Sequence, residues 1–443
     1  MTLKQTDPEV YEIIEAEKQR RREGLEMIPS ENHTSPAVLE ALGSILTDKY
    51  SEGYPGKRYY GGNEFIDKVE NLAIERAKKA FLVPYANVQA YSGTPANTAV
   101  YLAACEVGNM IMGQSLPDGG HLSHGANATF SARFYKSQPY HVKSDGYIDF
   151  DEVWRLAREH KPKLIWVGAS AYARQFPFAE MAEVADEIGA WLAADIAHIA
   201  GLVVAGVHPS PAPHAHIITT TTHKTLRGPR GAIVMATQKG LEKDPDLGKK
   251  IDKAVFPGGV QGGPHNHQTA AIAVALKEAM TPEFKEYAAQ ITKNAKVLAA
   301  GLMERGVKIV SGGTDNHLML IDLTPYGNGL GIFLEEALDM AGITANKNTV
   351  PQDPSSPFYP SGLRLGTPCI TTRGMKEKEM TEIAAWIARV VDLIKDYQLP
   401  EDKGERKSYL RNFRKEVAVS ETLKKIKEEV IELSKKFPIP AIH

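Results

Sequence analysis

The spacing of apolar residues changes character along the chain, and the changes mark its parts. Near the start, Asp7, Pro8 and Glu9 open a charged helix running to about Glu23, with the carboxylate as N-cap and proline at the first helical position. Residues 28–63 are rich in Gly, Pro, Tyr and Ser and read as an extended arm with little core of its own. A long central stretch then alternates short apolar runs with amphipathic segments. Residues 87–91, 109–113, 163–168, 191–195, 216–222 and 231–236 have strand character. Residues 180–188 place Met181, Val184, Ala185 and Ile188 on one helical face. This alternation predicts an α/β domain with a mostly parallel sheet, whose ligands bind at the carboxyl ends of its strands.

A different rhythm begins near residue 281. A long helix over 283–305, strand-like runs at 307–311 and 317–323, a helix over 332–341 and a further run at 343–346 predict a smaller α+β domain. Residues 401–415 are charged and weakly periodic, so 403–415 reads as solvated surface. A terminal helix over 420–435 carries Leu423, Ile426, Val430 and Leu433 at helical spacing. The expected division is an N-terminal helix and arm (1–63), a large α/β domain (64–280) and a C-terminal α+β domain (281–443).

Composition removes several classes of function. With 443 residues, 43% of them hydrophobic, the chain suits two or three domains. A net charge of −2 lacks the basic excess that nucleic acid or a membrane surface would select. Cys105 and Cys369 lie outside any CxxC or Cys/His cluster, so neither a disulfide framework nor a metal site is expected, and a reducing cytoplasm fits. Residues 1–22 contain no apolar core of a signal peptide, and no apolar run is long enough to span a bilayer.

The strongest chemical signal is the run Thr219-Thr220-Thr221-Thr222-His223-Lys224, followed by the turn-forming Arg227-Gly228-Pro229-Arg230-Gly231. A β-branched strand delivers a lysine to a strand end, where it can lose its proton and attack a carbonyl. Asp195 closes an upstream strand. Alone, it would read as a helix N-cap. Together with Lys224 it matches what pyridoxal phosphate requires: an amine to hold it covalently and a carboxylate to keep its ring nitrogen protonated. Tyr91-Ser92-Gly93-Thr94-Pro95-Ala96-Asn97 lies between a strand and a helix, where free N–H groups and the positive helix end suit a phosphate.

These segments resemble the serine hydroxymethyltransferase family. So do Ser30-Glu31-Asn32, Tyr54-Pro55-Gly56-Lys57-Arg58-Tyr59-Tyr60-Gly61-Gly62, Ser170-Ala171-Tyr172, Asp195-Ile196-Ala197-His198, Gln261-Gly262-Gly263-Pro264, Ser311-Gly312-Gly313-Thr314-Asp315-Asn316-His317 and Gly366-Thr367-Pro368. The resemblance runs from about Met27 to Asp392. It implies the aspartate aminotransferase-like fold type I of pyridoxal-phosphate enzymes, with a mostly parallel seven-stranded sheet flanked by helices and a smaller C-terminal α+β domain. It also implies conversion of serine and tetrahydrofolate to glycine and 5,10-methylenetetrahydrofolate by a homodimer, or a tetramer, with sites shared between subunits.

Residue by residue, the resemblance makes Lys224 the covalent anchor, with His223 beside it in the catalytic set. Asp195 pairs with the ring nitrogen, and His121 of His121-Leu122-Ser123-His124-Gly125 stacks on the ring. Ser170 and His198 contact the ring oxygen. Gly93 and Thr94 hold the phosphate, as does Gly263 from a neighbouring subunit. Arg364 takes the substrate carboxylate bidentately. Ser30, Tyr50, Glu52 and Tyr60 belong to the arm that reaches the partner's site, with Glu52 transferring protons, and Asn348 helps hold the pterin. The chain departs from the family pattern at Pro95 (often glutamine), at Pro177 (often aspartate) and in residues 257–264, one residue longer than usual. A folate-independent aldolase or an α-methylserine hydroxymethyltransferase on the same scaffold is the alternative. A scaffold protein without catalysis would not retain Lys224, Asp195, Arg364 and Glu52 together.

Overall fold

The computed structural model describes residues 1–259 and 261–442; Val260, within the longer loop, lies outside the described residues. Two compact units form: residues 34–292 with 315–317, and residues 1–33 with 293–314 and 318–443. The chain therefore does not divide consecutively. Leu25–Glu26 pairs in parallel with Ile343–Thr344, which ties the N-terminal segment to the C-terminal unit.

In the large unit, seven strands share one sheet among the described residues: β1 (Tyr85–Asn87), β2 (Met110–Gln114), β3 (Lys136–Tyr140), β4 (Leu164–Val167), β5 (Trp191–Asp195), β6 (Ile217–Thr221) and β7 (Ala232–Ala236). Their spatial order is β1-β7-β6-β5-β4-β2-β3. β2 to β6 pair in parallel, and β7 runs antiparallel to β6 and β1. β7 is reversed because only a turn, with no crossover helix, separates it from β6. Both sheet faces are covered. Trp166, Ala193 and Ile217 enter one apolar cluster, while their neighbours Ile165, Val167, Leu192, Ala194 and Ile218 enter another. Such two-sided burial explains why these strands read as apolar runs rather than as alternation. β3 was not among the expected runs. It is an edge strand of sequence Lys-Ser-Gln-Pro-Tyr, where polar residues and proline are tolerated.

The arm is more structured than its composition suggests. Ser35 caps a helix over Pro36–Leu42, a 3₁₀ turn follows at Ile45–Asp48, and Gly53–Tyr54 pairs with Lys57–Arg58 as a hairpin.

The C-terminal unit contains a three-stranded antiparallel sheet of β8 (Leu318–Asp322), β9 (Asn346–Asn348) and β10 (Gly362–Gly366), with β10 central. Residues 307–311 make no strand. Ser311 sits at φ 55° within a 3₁₀ turn, and one bridge from Ile309 to Ile321 is all the pairing there. Residues 403–415 are not loose surface but part of a helix, Lys403–Ala418, that buries Leu410, Phe413 and Val417. Phe413 meets Phe333 edge-on at 4.8 Å and Tyr397 at 4.9 Å. Three apolar residues on a narrow stripe among many charges give little periodic signal, yet they suffice to dock the helix. Arg373 binds this unit's helix ends. Its guanidinium donates to the carbonyls of Gly24 and Phe437 at 2.6 Å and of Ser434 at 2.8 Å, satisfying groups that close the helices Pro8–Glu23 and Glu421–Lys436. No helix among the described residues is long and apolar enough to cross a membrane.

Phe413→Ala should destabilise the C-terminal unit by about 3–5 kcal/mol, the usual loss for a buried aromatic. The check is the denaturation midpoint; a change within about 0.5 kcal/mol, as for a surface residue, would return the segment to the solvated class.

Candidate active site

Asp195, Lys224, His121, His124 and His198 of the large unit all lie in or beyond the carboxyl ends of parallel strands. Asp195 ends β5 opposite Thr219 of β6. Its Oδ2 accepts a 2.8 Å hydrogen bond from Asn97 Nδ2 and lies 3.1 Å from His124 Nε2, while its Oδ1 accepts from the Ala197 amide at 3.0 Å. Burial pushes this carboxyl up, but its hydrogen bonds with His124 and Asn97 and the electrostatics of the neighbouring imidazoles outweigh it and hold Asp195 well below the ordinary carboxylate range. The partners are themselves fixed. Thr219 Oγ1 donates to Asn97 Oδ1 at 2.7 Å, and His124 stacks on Trp166 at 4.7 Å and 8°. His121 is oriented through Ser123, whose amide donates to His121 Nδ1 at 3.2 Å. Burial and His124 lower the His121 pKa to about 4, so the ring is neutral at ordinary pH.

Lys224 is buried three residues beyond β6. The turn around it is closed by Gly228 N–H donating to Thr222 O at 2.7 Å and by Thr222 Oγ1 donating to Pro229 O at 2.6 Å. Thr225 Oγ1 donates to His198 O at 2.9 Å, joining this turn to the one after β5. Burial and the adjacent Lys224 lower the His223 pKa to about 3, and His223 Nδ1 is buried without a hydrogen-bond partner. His198 Nδ1 lies 3.2 Å from His317 Nε2. The Ser170 amide donates to Gly119 O at 2.7 Å, leaving its side chain half-buried beyond β4.

Gly93 opens a twelve-residue helix, Gly93–Ala104, whose N-cap Ser92 makes no side-chain capping bond. The first N–H groups are thus left for an anion. A side chain at Gly93 would come within 3.0 Å of Thr221 on β6, so glycine allows this close approach. Pro95 has no N–H to offer and suits the first turn. These residues fit pyridoxal phosphate: a buried amine, a carboxylate kept ionised, and uncapped helix amides. Donor atoms of His121, His124 and Asp195 also lie within 4.8 Å of one another, a spacing open to metal ions. The Asn97 NH2 group, which can only donate, already occupies the Asp195 oxygen that faces His124.

Comparison with known proteins decides the family. The serine hydroxymethyltransferase family model matches residues 3–387. A serine hydroxymethyltransferase of Acidothermus cellulolyticus is 53% identical over 441 residues, 99% of this chain and 97% of that one. One from Halorhodospira halophila is 53% identical over 414 residues, 93% and 98% of the two chains. The chain belongs to the serine hydroxymethyltransferase family. It is a one-carbon transferase of pyridoxal-phosphate fold type I that interconverts serine and glycine, with tetrahydrofolate as co-substrate.

Against that family chemistry, the remaining predicted residues fall into two groups. In the large unit, the arm brings Tyr50, Glu52, Tyr60 and Gly263 together. Tyr50 and Tyr60 rings are 5.0 Å apart, and a side chain at Gly263 would meet Glu52 Cγ at 3.3 Å and Tyr50 Cε1 at 3.5 Å. The backbone on both sides of Glu52 is pinned. Buried Arg58 donates to Ser51 O and Gly53 O, both at 2.8 Å, and balances its charge on Glu70 at 2.6 Å and Asp67 at 2.9 Å. Gln89 Nε2 also donates to Gly53 O at 3.0 Å, and Ser51 Oγ donates to Asn266 Oδ1 at 2.6 Å. In the C-terminal unit, Arg364 lies on β10 with Nε donating to Asn346 Oδ1 at 3.2 Å, and burial lowers its pKa to about 10, so it stays charged. Asn348, on β9, donates to Thr349 O at 2.7 Å, and Ser30 is half-buried near the start of this unit.

Asn97 and His124 stood within the quoted motifs without a role. The signal for Asn97 was a polar residue on the inner face of an apolar helix, which needs a buried partner. Nothing in sequence tells His124 from His121; that difference comes from Trp166 beneath one ring.

Asp195 has a depressed folded pKa, so its ionisation contributes stability above the ordinary carboxylate range, and this is lost as pH falls through the folded value. Asn97→Ala deletes one donor and raises that value. The pH at which half the cofactor is lost on acidification should therefore move upward, by roughly half a unit to one unit for one hydrogen bond. An unchanged acid limit would remove Asn97 from the Asp195 network.

Proposed function

We propose that Lys224 carries pyridoxal phosphate and that a homodimer in the cytoplasm performs the reaction, each site drawing on both subunits. The observation that carries this reading is the pairing of buried Lys224 beyond β6 with the ionised Asp195 at the adjoining end of β5. When bound, the cofactor supplies an electron sink for the bond broken at the amino-acid Cα. Asp195 keeps the ring nitrogen protonated because its donors hold it ionised. His121, neutral, would stack on the ring when it is bound, with His223 next to Lys224 in the chain. Ser170 and His198 address the ring oxygen, and Gly93 and Thr94 take the phosphate. Arg364 binds the substrate carboxylate, helped by its desolvation, which strengthens a charge-assisted bond. Glu52 moves the proton of the substrate hydroxyl, Tyr50 and Tyr60 of the same arm are substrate contacts, and so are Ser30 and Asn348 of the C-terminal unit, Asn348 to the pterin.

Two observations support the assembly and the compartment. Tyr59 on the arm is 72% exposed, Tyr50 and Tyr60, with rings 5.0 Å apart, are exposed too, and Phe65 in the helix that follows is 67% exposed, apolar rings that a second copy would cover. Cys105 and Cys369 are both free thiols, as a reducing compartment favours.

Borohydride reduction followed by peptide mapping should place the pyridoxyl group on Lys224; label on another lysine would refute the assignment. Glu52→Gln keeps shape but cannot transfer a proton. It should fold and load cofactor normally, lose about 10²–10⁴-fold in tetrahydrofolate-dependent turnover, and keep folate-independent cleavage of bulky β-hydroxy amino acids. Full folate-dependent turnover in this variant would exclude Glu52 as the proton-transfer group.

A further inference from the structure

Gly262 and Gly263 stand in series, the residue type with the greatest backbone freedom, so any fixed aim of their N–H groups must be imposed from outside. The structure imposes it from both ends. On one side, the Gln261 side chain is held between two backbone groups at the end of β1: its Nε2 donates to Gln89 O at 2.6 Å and its Oε1 accepts from the Tyr91 amide at 3.1 Å. On the other, the Tyr91 hydroxyl donates to Gly263 O at 2.5 Å, and its ring lies flat on His265 at 4.1 Å and 5°. Burial, then Tyr50 and Glu52, push the Tyr91 phenol above its ordinary value, so it remains a donor. Tyr91 lies two residues before Gly93 and three before Thr94, the residues proposed above to take the phosphate in this chain's own pocket.

We infer that Tyr91 is a positioning residue for phosphate binding: its hydroxyl fixes the Gly262–Gly263 segment whose amide completes the phosphate cradle. This inference rests on the reading that Gly263 serves the partner subunit's site. One residue then links the phosphate segment of one pocket to the glycine segment of the other. Removing the hydroxyl leaves the Gly263 carbonyl without its donor and frees the glycines, while the ring and its stack on His265 survive.

The test uses Tyr91→Phe in the intact protein, stripped of cofactor and titrated with pyridoxal 5′-phosphate and, separately, with pyridoxal, which lacks the phosphate. Affinity for the phosphorylated form should fall about tenfold, the upper range for one hydrogen bond to a half-buried carbonyl. Affinity for pyridoxal should be unchanged. Equal loss for both ligands, or loss for neither, would overturn the role. Hybrid dimers then separate this from the shared-site reading. When Tyr91→Phe and Lys224→Ala share one chain, the remaining lysine belongs to the wild-type chain and takes Gly263 from the altered one. Its borohydride-trappable cofactor should dissociate about tenfold faster during dialysis. With the two substitutions on opposite chains, dissociation should match wild type. The reverse pattern would overturn the shared site and, with it, the link between pockets, while leaving Tyr91 as the element that fixes its own chain's loop.

Discussion

A carboxylate buried at a strand end stays ionised only if its donors outweigh the cost of burial, and the site is arranged around Asp195 meeting that condition. Its donors come from separate elements: Asn97 from the helix after β1, His124 from the turn after β2, and the Ala197 amide from its own chain just beyond β5. Two more strands hold those donors, β6 through Thr219 and β4 through Trp166. The electrostatic state of one group therefore depends on the strand order, since only β4, β5 and β6 side by side bring these side chains together. Lys224 benefits from the same order, because its turn is tied to the one after β5.

A second consequence of burial governs the arm. Backbone carbonyls removed from water must find donors. Those of Ser51 and Gly53 find Arg58 and Gln89, and the side chain of Ser51 finds Asn266. A segment with little apolar core of its own thereby acquires a fixed path, and Glu52 is held through the backbone, by its neighbours' bonds and by its own carbonyl, which accepts from the Tyr59 amide at 2.9 Å. The buried Arg58–Glu70 pair is useful here less as a source of stability, which such pairs seldom provide, than as a fork aimed at two carbonyls.

Much of the fold was legible because two-sided burial leaves long apolar runs. β5 was bounded as observed, and β2, β4, β6 and β7 within two residues. β3 escaped because an edge strand need not be apolar. The helix Lys403–Ala418 escaped because its docking relies on three residues, and the expected strand near residue 309 gave way to a turn through Ser311. At the site, Lys224, a lysine after a β-branched run, announced itself, whereas Arg364 was placed only by the family resemblance. Residues that serve by supporting others did not announce themselves.

The sequence by itself determined the alternation of strand and helix, the delivery of Lys224 and Asp195 to strand ends, the uncapped glycine turn at Gly93, and, through its motifs, the family. These are local matters, settled by residue type and spacing within a few positions of the chain. Tertiary structure decided which groups meet. Asn97 and Asp195 are 98 residues apart in the chain, Tyr91 and Gly263 are 172 apart, and Arg373 reaches Gly24 across 349. No local pattern encodes such pairs, because they follow from strand order and from the requirement that every buried polar group find a partner.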